Sequence, residues 1–198
     1  MFCIILAKGE KSRRLGKIKA LIKINGIPLI ERIVNELRDC FKKVLIVTTD
    51  VEKFKNIKYA KVVEDKYKIG PLGGILTGLK NSPYKYNFVI ACDYPFVKKE
   101  VVMYMKKIKK PYDVLLFKRN KLIHPLFAIY SKNVIPFIEK NLLQKKYKVV
   151  DLIKEVNTKF VENIKNFNFV FFNLNTKKDI KKLHKKFSAK RSLKLTSE

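Results

Sequence analysis

Short apolar runs alternate along the chain with stretches in which apolar residues recur every three or four positions. Residues 2–7, 43–48, 60–64 and 88–92 are bounded runs of the kind that form buried strands. Residues 28–40 space Leu29, Ile30, Ile33, Val34 and Leu37 at helical intervals, with Pro28 suited to a first turn. Residues 71–79, opening after a glycine, and 98–108 read as two further helices. In the second half, strands are predicted over 112–117 and 126–129, flanking a polar turn at 118–121. Helices over 133–143 and 149–156, a late strand over 169–172 and a terminal helix over 177–187 follow. Such alternation predicts an α/β protein with a mainly parallel central sheet and helices on both faces, a Rossmann-like three-layer sandwich. No repeat or linker divides the pattern, so one domain over 1–187 is expected, with the aperiodic residues 188–198 as a flexible tail.

Chemistry enters where the apolar runs end. Phe88-Val89-Ile90-Ala91-Cys92 stops abruptly at Asp93, two residues before Pro95. In open α/β sheets the carboxyl ends of the strands are where ligands bind. A hard divalent cation on a triphosphate needs only one or two such carboxylates, water and phosphate supplying the rest. Alone, an aspartate here also reads as a turn former or helix cap. The loop after the first strand, Leu6-Ala7-Lys8-Gly9-Glu10-Lys11-Ser12-Arg13-Arg14-Leu15-Gly16-Lys17-Ile18-Lys19, mixes glycines with cations. Its backbone N–H groups suit phosphates, Arg14 offers a fork and Lys19 a point charge, although a solvated basic loop has the same composition. It is neither a P-loop nor a Gly-x-Gly-x-x-Gly fingerprint. Gly70-Pro71-Leu72-Gly73-Gly74 suits either a helix N-terminus close to a ligand or tight helix–sheet packing.

Net charge changes the list of partners more than the fold. With 45 Lys and Arg against 17 Asp and Glu, the chain carries +28. That charge attracts anionic substrates and also raises a nucleic-acid reading. The cations are mostly Lys and are spread along the whole chain, whereas readers of base sequence favour Arg forks, so no specific nucleic acid is expected. Cys3, Cys40 and Cys92 are scattered and distant in sequence from His124 and His184, which argues against a zinc site or a disulfide framework. No apolar run reaches transmembrane length, and no basic segment precedes the apolar N-terminus, so a cytoplasmic protein off the membrane is expected.

Six segments in order resemble the nucleotidyltransferases of glycosyltransferase-A type fold. The first loop is similar to Leu-Ala-Gly-Gly…Ser-x-Arg-Met-Gly-x-x-Lys. Asn25-Gly26-Ile27-Pro28-Leu29-Ile30 and Val62-Val63-Glu64-Asp65 follow, then Gly70-Pro71-Leu72-Gly73-Gly74-Ile75 and Ala91-Cys92-Asp93-Tyr94-Pro95-Phe96. The last is Asn173-Leu174-Asn175-Thr176-Lys177-Lys178-Asp179. Within that superfamily, this ending and His124-Pro125-Leu126-Phe127-Ala128-Ile129-Tyr130 resemble the molybdenum cofactor guanylyltransferase family. Two departures stand out. Lys8-Gly9-Glu10 replaces the paired glycines, and Val47-Thr48-Thr49-Asp50 lacks the asparagine the family often carries there.

The resemblance implies transfer of GMP from GTP to the terminal phosphate of molybdopterin-bound molybdenum cofactor, with release of pyrophosphate. It implies Mg²⁺ held by Asp93, and Arg14 and Lys19 neutralising the triphosphate. The nucleotide site it implies comprises Leu6, Ala7, Lys8, Gly9, Lys19, Asp65, Gly70, Pro71, Leu72 and Asp93. The acceptor site comprises His124, Asn173 and Asn175. On the residues alone, His124 also reads as a packing residue, and the asparagines as caps of the helix near Thr176. A monomer is expected, meeting cofactor-carrying proteins transiently. The alternatives are a sibling enzyme with another base or acceptor, such as a molybdopterin cytidylyltransferase, and a basic nucleic-acid-binding domain.

Overall fold

The computed structural model describes residues 1–119, 122–162, 168–183 and 186–187. Its strands are β1 (Cys3–Leu6), β2 (Lys23–Ile24), β3 (Ile27–Pro28), β4 (Val44–Thr48), β5 (Ala60–Glu64), β6 (Tyr86–Ala91), β7 (Val114–Arg119), β8 (Leu122–Ser131) and β9 (Thr158–Val161). Its helices are α1 (Leu29–Leu37), α2 (Pro71–Lys80), α3 (Lys99–Lys107), α4 (Ile135–Leu143) and α5 (Val149–Glu155). Residues 177–183 and 186–187 are also helical. The expected tail lies outside the described residues.

The main sheet runs β5-β4-β1-β6-β8-β7-β9. β8 alone is antiparallel to its neighbours β6 and β7, while every other pairing is parallel. From β1 the chain steps outward to β4 and β5, then returns to the other side of β1 as β6. The loops after β1 and β6 therefore flank the point where strand order reverses, which in open α/β sheets is the ligand crevice.

Alternation along β1 sorts the core into two layers. Cys3 and Ile5 join Ile30, Ile33, Leu37, Val101 and Met105 on one face. Ile4 joins Leu72, Ile75, Leu76, Leu79, Ile138 and Leu152 on the other. Helices α1 and α3 thus cover one face, and α2, α4 and α5 the opposite one. Burial pushes both Cys3 and Cys92 thiols up, Cys92 to about 12, so they pack as neutral core groups.

Helix α2 lies close to β1 where Gly74 and Gly78 face the strand. A Cβ on Gly74 would stand 3.0 Å from Leu6 Cδ2, and one on Gly78 2.4 Å from Ile4 Cγ2. Gly78→Val should cost roughly 1–3 kcal/mol through overpacking. The midpoint of thermal unfolding should fall by ~2–4 °C per kcal/mol, and a parental midpoint would show that the layer can yield.

Three sequence expectations change. Residues 169–172 are not a strand, because Asn168–Phe171 is a 3₁₀ turn that sends Val170 into the core and Phe171 against it. The turn expected at 118–121 is shorter, since β7 runs through Arg119 and β8 starts at Leu122; residues 120 and 121 lie outside the described set. Pro28 ends the small β2–β3 hairpin and precedes α1 rather than sitting in its first turn.

Candidate active site

Asp93 begins the turn that leaves β6, and its place is fixed by backbone. Cys92 N donates to Leu6 O at 3.0 Å, prolonging the ladder to β1, and Val97 N closes the turn onto Tyr94 O at 3.3 Å. From the far end of the chain, Leu174 N donates to Asp93 O at 2.9 Å. That bond places Asn173 and Asn175 beside the β6 loop.

Lys19 enters from the β1 loop. Ser12 N donates to Lys17 O at 2.9 Å and Gly16 N to Ser12 O at 2.8 Å, closing a compact turn. Gly16 takes φ +64°, and Leu15 is buried as the loop's anchor. Lys19 then opens a short 3₁₀ helix, Lys19–Leu21. Its Nζ donates to Asn175 Oδ1 at 2.7 Å and stands 3.7 Å from Asp93 Oδ2. Burial pushes the Asp93 carboxyl above the ordinary carboxylate range, and Lys19 and backbone donors only partly offset it. Asp93 Oδ1 is buried without a hydrogen-bond partner. A hard cation would satisfy that bare oxygen, so Asp93 fits a metal ligand. Among the described residues no group of three or more His, Cys, Asp and Glu could hold an ion. A cation here would need oxygens from substrate and water, the usual habit of Mg²⁺.

The acceptor candidates adjoin this centre. His124 is buried, stacked on Phe171 at 4.5 Å between ring centroids, with Nδ1 3.4 Å from the Tyr94 hydroxyl. Burial also pushes the Tyr94 hydroxyl up, and the Asn173 side chain lies beside it. Both asparagines are half-buried. Thr176 caps the helix that follows, as its sequence position suggests: Asp179 N donates to Thr176 Oγ1 at 3.2 Å.

The remaining nucleotide-site candidates spread along the same edge of the sheet. Asp65 follows β5 and is buried, its Oδ1 accepting from Tyr67 N and from Thr77 Oγ1 of α2, both at 3.2 Å. Gly70 has φ +89°, a left-handed conformation that favours glycine. Pro71 is exposed, and the Leu72 side chain is buried in the core. Leu6 packs partly buried against α2, and Ala7 N is engaged by Val47 O at 2.9 Å. Lys8, Glu10 and Arg14 are exposed.

Gly9 carries a contact that sequence reasoning missed. Its N donates to Thr49 Oγ1 at 3.3 Å, and its O accepts from Lys53 Nζ at 3.2 Å, with Lys53 also paired to Asp50. A Cβ on Gly9 would strike Asp50 Cβ, so the altered Lys8-Gly9-Glu10 loop is moulded to the segment after β4. Thr77 had a legible signal, a hydroxyl on a helix otherwise buried and apolar. Phe171 and Tyr94 had none beyond being aromatic.

Residues 3–159 match the family described as MobA-like NTP transferase domain. The chain belongs to that family. It is 33% identical over 182 residues to a probable molybdenum cofactor guanylyltransferase of Aquifex aeolicus (strain VF5), covering 91% of this chain and 89% of that one. To a protein of the same description from Pelotomaculum thermopropionicum it is 36% identical over 185 residues, 90% of this chain and 89% of the other. The crystal structure of molybdopterin-guanine dinucleotide biosynthesis protein A from Archaeoglobus fulgidus superposes with a TM-score of 0.84 at 27% identity. That alignment covers 96% of this chain and 100% of the archaeal one.

Proposed function

We propose that this member of the MobA-like family transfers GMP from GTP to the terminal phosphate of molybdopterin-bound molybdenum cofactor, releasing pyrophosphate. The observation that carries the reading is the meeting of Lys19, Asp93 and Asn175 at the strand-order reversal, in a chain that matches guanylyltransferases over nine-tenths of its length. An acceptor phosphate oxygen attacks the α-phosphorus, a new P–O bond forms, and the bond to the β-phosphate oxygen breaks as pyrophosphate leaves. The acceptor is already an anion near neutral pH, so no general base is needed. Catalysis then rests on positioning and on neutralising charge.

In this reading Asp93 would hold Mg²⁺, which when bound would supply positive charge against the triphosphate. Lys19 stabilises charge gathering on the leaving pyrophosphate, and Arg14 reaches the triphosphate from its exposed turn. Backbone of residues 6–9 and 70–72 lines the nucleotide, with Asp65 beside it. His124, Asn173 and Asn175 orient the acceptor. The N-terminal half takes nucleotide and the C-terminal half takes acceptor within one domain. The protein works as a cytoplasmic monomer and meets cofactor-carrying proteins transiently. Among the described residues no helix is long and apolar enough to cross a membrane.

Thermal unfolding with GTP, CTP, ATP and UTP, each with and without Mg²⁺, tests the nucleotide. A ligand at about a hundred times its dissociation constant stabilises by roughly 2.7 kcal/mol. Mg·GTP alone should raise the midpoint by ~5–10 °C. A rise with CTP alone would replace the guanine donor by a cytidine donor. No rise with any nucleotide, together with no GMP transfer, would sink the reading.

A further inference from the structure

The segment that delivers Asn175 to the active site is itself held by a carboxylate with no assigned part in the reaction. Asp179 Oδ2 accepts from Asn175 N at 3.0 Å, from Thr176 N at 2.8 Å and from Thr176 Oγ1 at 2.9 Å. Asp179 N returns a bond to Thr176 Oγ1 at 3.2 Å. This reciprocal pattern is a capping box with Asp in the place usually held by Glu or Gln. Burial alone would push the Asp179 carboxyl up, but the two backbone N–H groups and the threonine hydroxyl outweigh it and hold it below the usual range.

The box does more than start a helix. Immediately before it, the Asn175 side chain turns the other way and takes the ammonium of Lys19 at 2.7 Å. That ammonium is 3.7 Å from Asp93, whose own carbonyl accepts from Leu174 N. An unbroken series of polar contacts therefore runs from Asp179 through Asn175 to Lys19 and Asp93. A lysine is a point charge on a flexible stem with several rotatable bonds. Its pair with Asp93 is too long to fix the ammonium alone, so the shorter bond to Asn175 sets its place.

We propose that Asp179 is a positioning residue for the transfer reaction, acting through Asn175 to hold the Lys19 ammonium over the reacting phosphates. The inference rests on the function proposed above. Asp179 touches neither nucleotide nor acceptor. Its contribution is to the rate at which bound substrates react, because a displaced Lys19 misses the charge that gathers on the leaving group, while other contacts still hold GTP. Glu at this position builds the standard box and should keep the geometry, whereas Ala should not.

The full chain is assayed for GMP transfer with Mg·GTP and molybdopterin, beside Asp179→Ala and Asp179→Glu. Loss of an orienting partner typically costs about 10–100-fold in activity. Asp179→Ala should lower kcat about tenfold with KM for GTP within about twofold, and Asp179→Glu should recover most of the rate. In parallel, the NMR signal of Lys19 Cε, assigned by its absence in Lys19→Arg, should move in Asp179→Ala and return in Asp179→Glu. A parental kcat and an unmoved Lys19 signal in Asp179→Ala would overturn the proposal. So would equal rate losses in both variants with Lys19 unmoved. If the parent chain itself transfers no GMP, the functional reading has failed, and the Lys19 signal alone decides whether Asp179 positions it.

Discussion

Asp93→Asn should lower kcat/KM for GMP transfer by about 10²–10³-fold, or ~2.7–4 kcal/mol of lost transition-state stabilisation. It should do so without weakening the free protein. The carboxyl is held above its ordinary range chiefly by burial, and one of its oxygens has no partner. A carboxyl with a raised folded-state pKa adds stability that is complete below its unfolded value and lost as pH rises through the folded value. At neutral pH the ionised group is therefore a burden on the apo fold. The amide removes that burden and leaves Lys19 bonded to Asn175. The apo variant should unfold at pH 7 no lower than the parent, with a gain of ~2–4 °C if about 1 kcal/mol is recovered. That gain should vanish as pH falls to where the parental carboxyl is protonated. Turnover within tenfold of the parent at saturating Mg²⁺ would remove Asp93 from the metal site, and a destabilised apo variant would contradict the burial argument.

Lys19→Ala should reduce kcat by roughly 10²-fold, the scale of losing one preorganised electrostatic contact to developing charge. Its effect on folding should be small. The ion pair with Asp93 spans 3.7 Å with both side chains about a fifth exposed, and pairs reached by solvent contribute ~0–1 kcal/mol. The midpoint should stay within ~4 °C of the parent. Lys19→Arg keeps the charge but spreads it over a planar fork, so it should restore GTP affinity better than rate. A rate loss in Lys19→Ala that is matched by a comparable loss of stability would make the residue structural.

Strand and helix positions were legible where burial sets periodicity. Residues 60–64 are a strand and residues 71–79 lie within α2 as expected, but β5 is an edge strand with none of its residues fully buried, not the buried strand its apolar run suggests. Direction was not legible, since nothing in the apolar run of β8 says that it opposes its neighbours. β9 escaped notice because Thr158–Val161 is a half-exposed edge segment without a clean apolar run. The aromatic run at 169–172 reads as a strand because a short 3₁₀ turn that buries Val170 shares that pattern. Asn25-Gly26 is a strong hairpin signal, and both residues take positive φ in the β2–β3 turn.

The residues at the centre of the candidate site stand out in the sequence, and the contacts that support them do not. Asp93 stands out because an apolar strand ends in a charge, and Lys19, Asn173 and Asn175 follow from the family resemblance. What no local pattern shows is that Asn175 meets Lys19 across 156 positions, or that Gly9 is gripped by Thr49 and Lys53. Those contacts depend on which loops the strand order brings together.

The bond from Leu174 to Asp93 gives the polypeptide's synthesis an order of completion. Among the described residues every strand of the sheet precedes residue 162, whereas Asn175, which bonds Lys19, comes after residue 172. A nascent chain that leaves the ribosome from its N-terminus can assemble the sheet while its reactive centre is still open. A chain ended near residue 165 would lack Val170, Leu174 and Leu183 from the core as well as Asn175, so it should carry a less stable sheet and leave the Lys19 ammonium without its 2.7 Å partner.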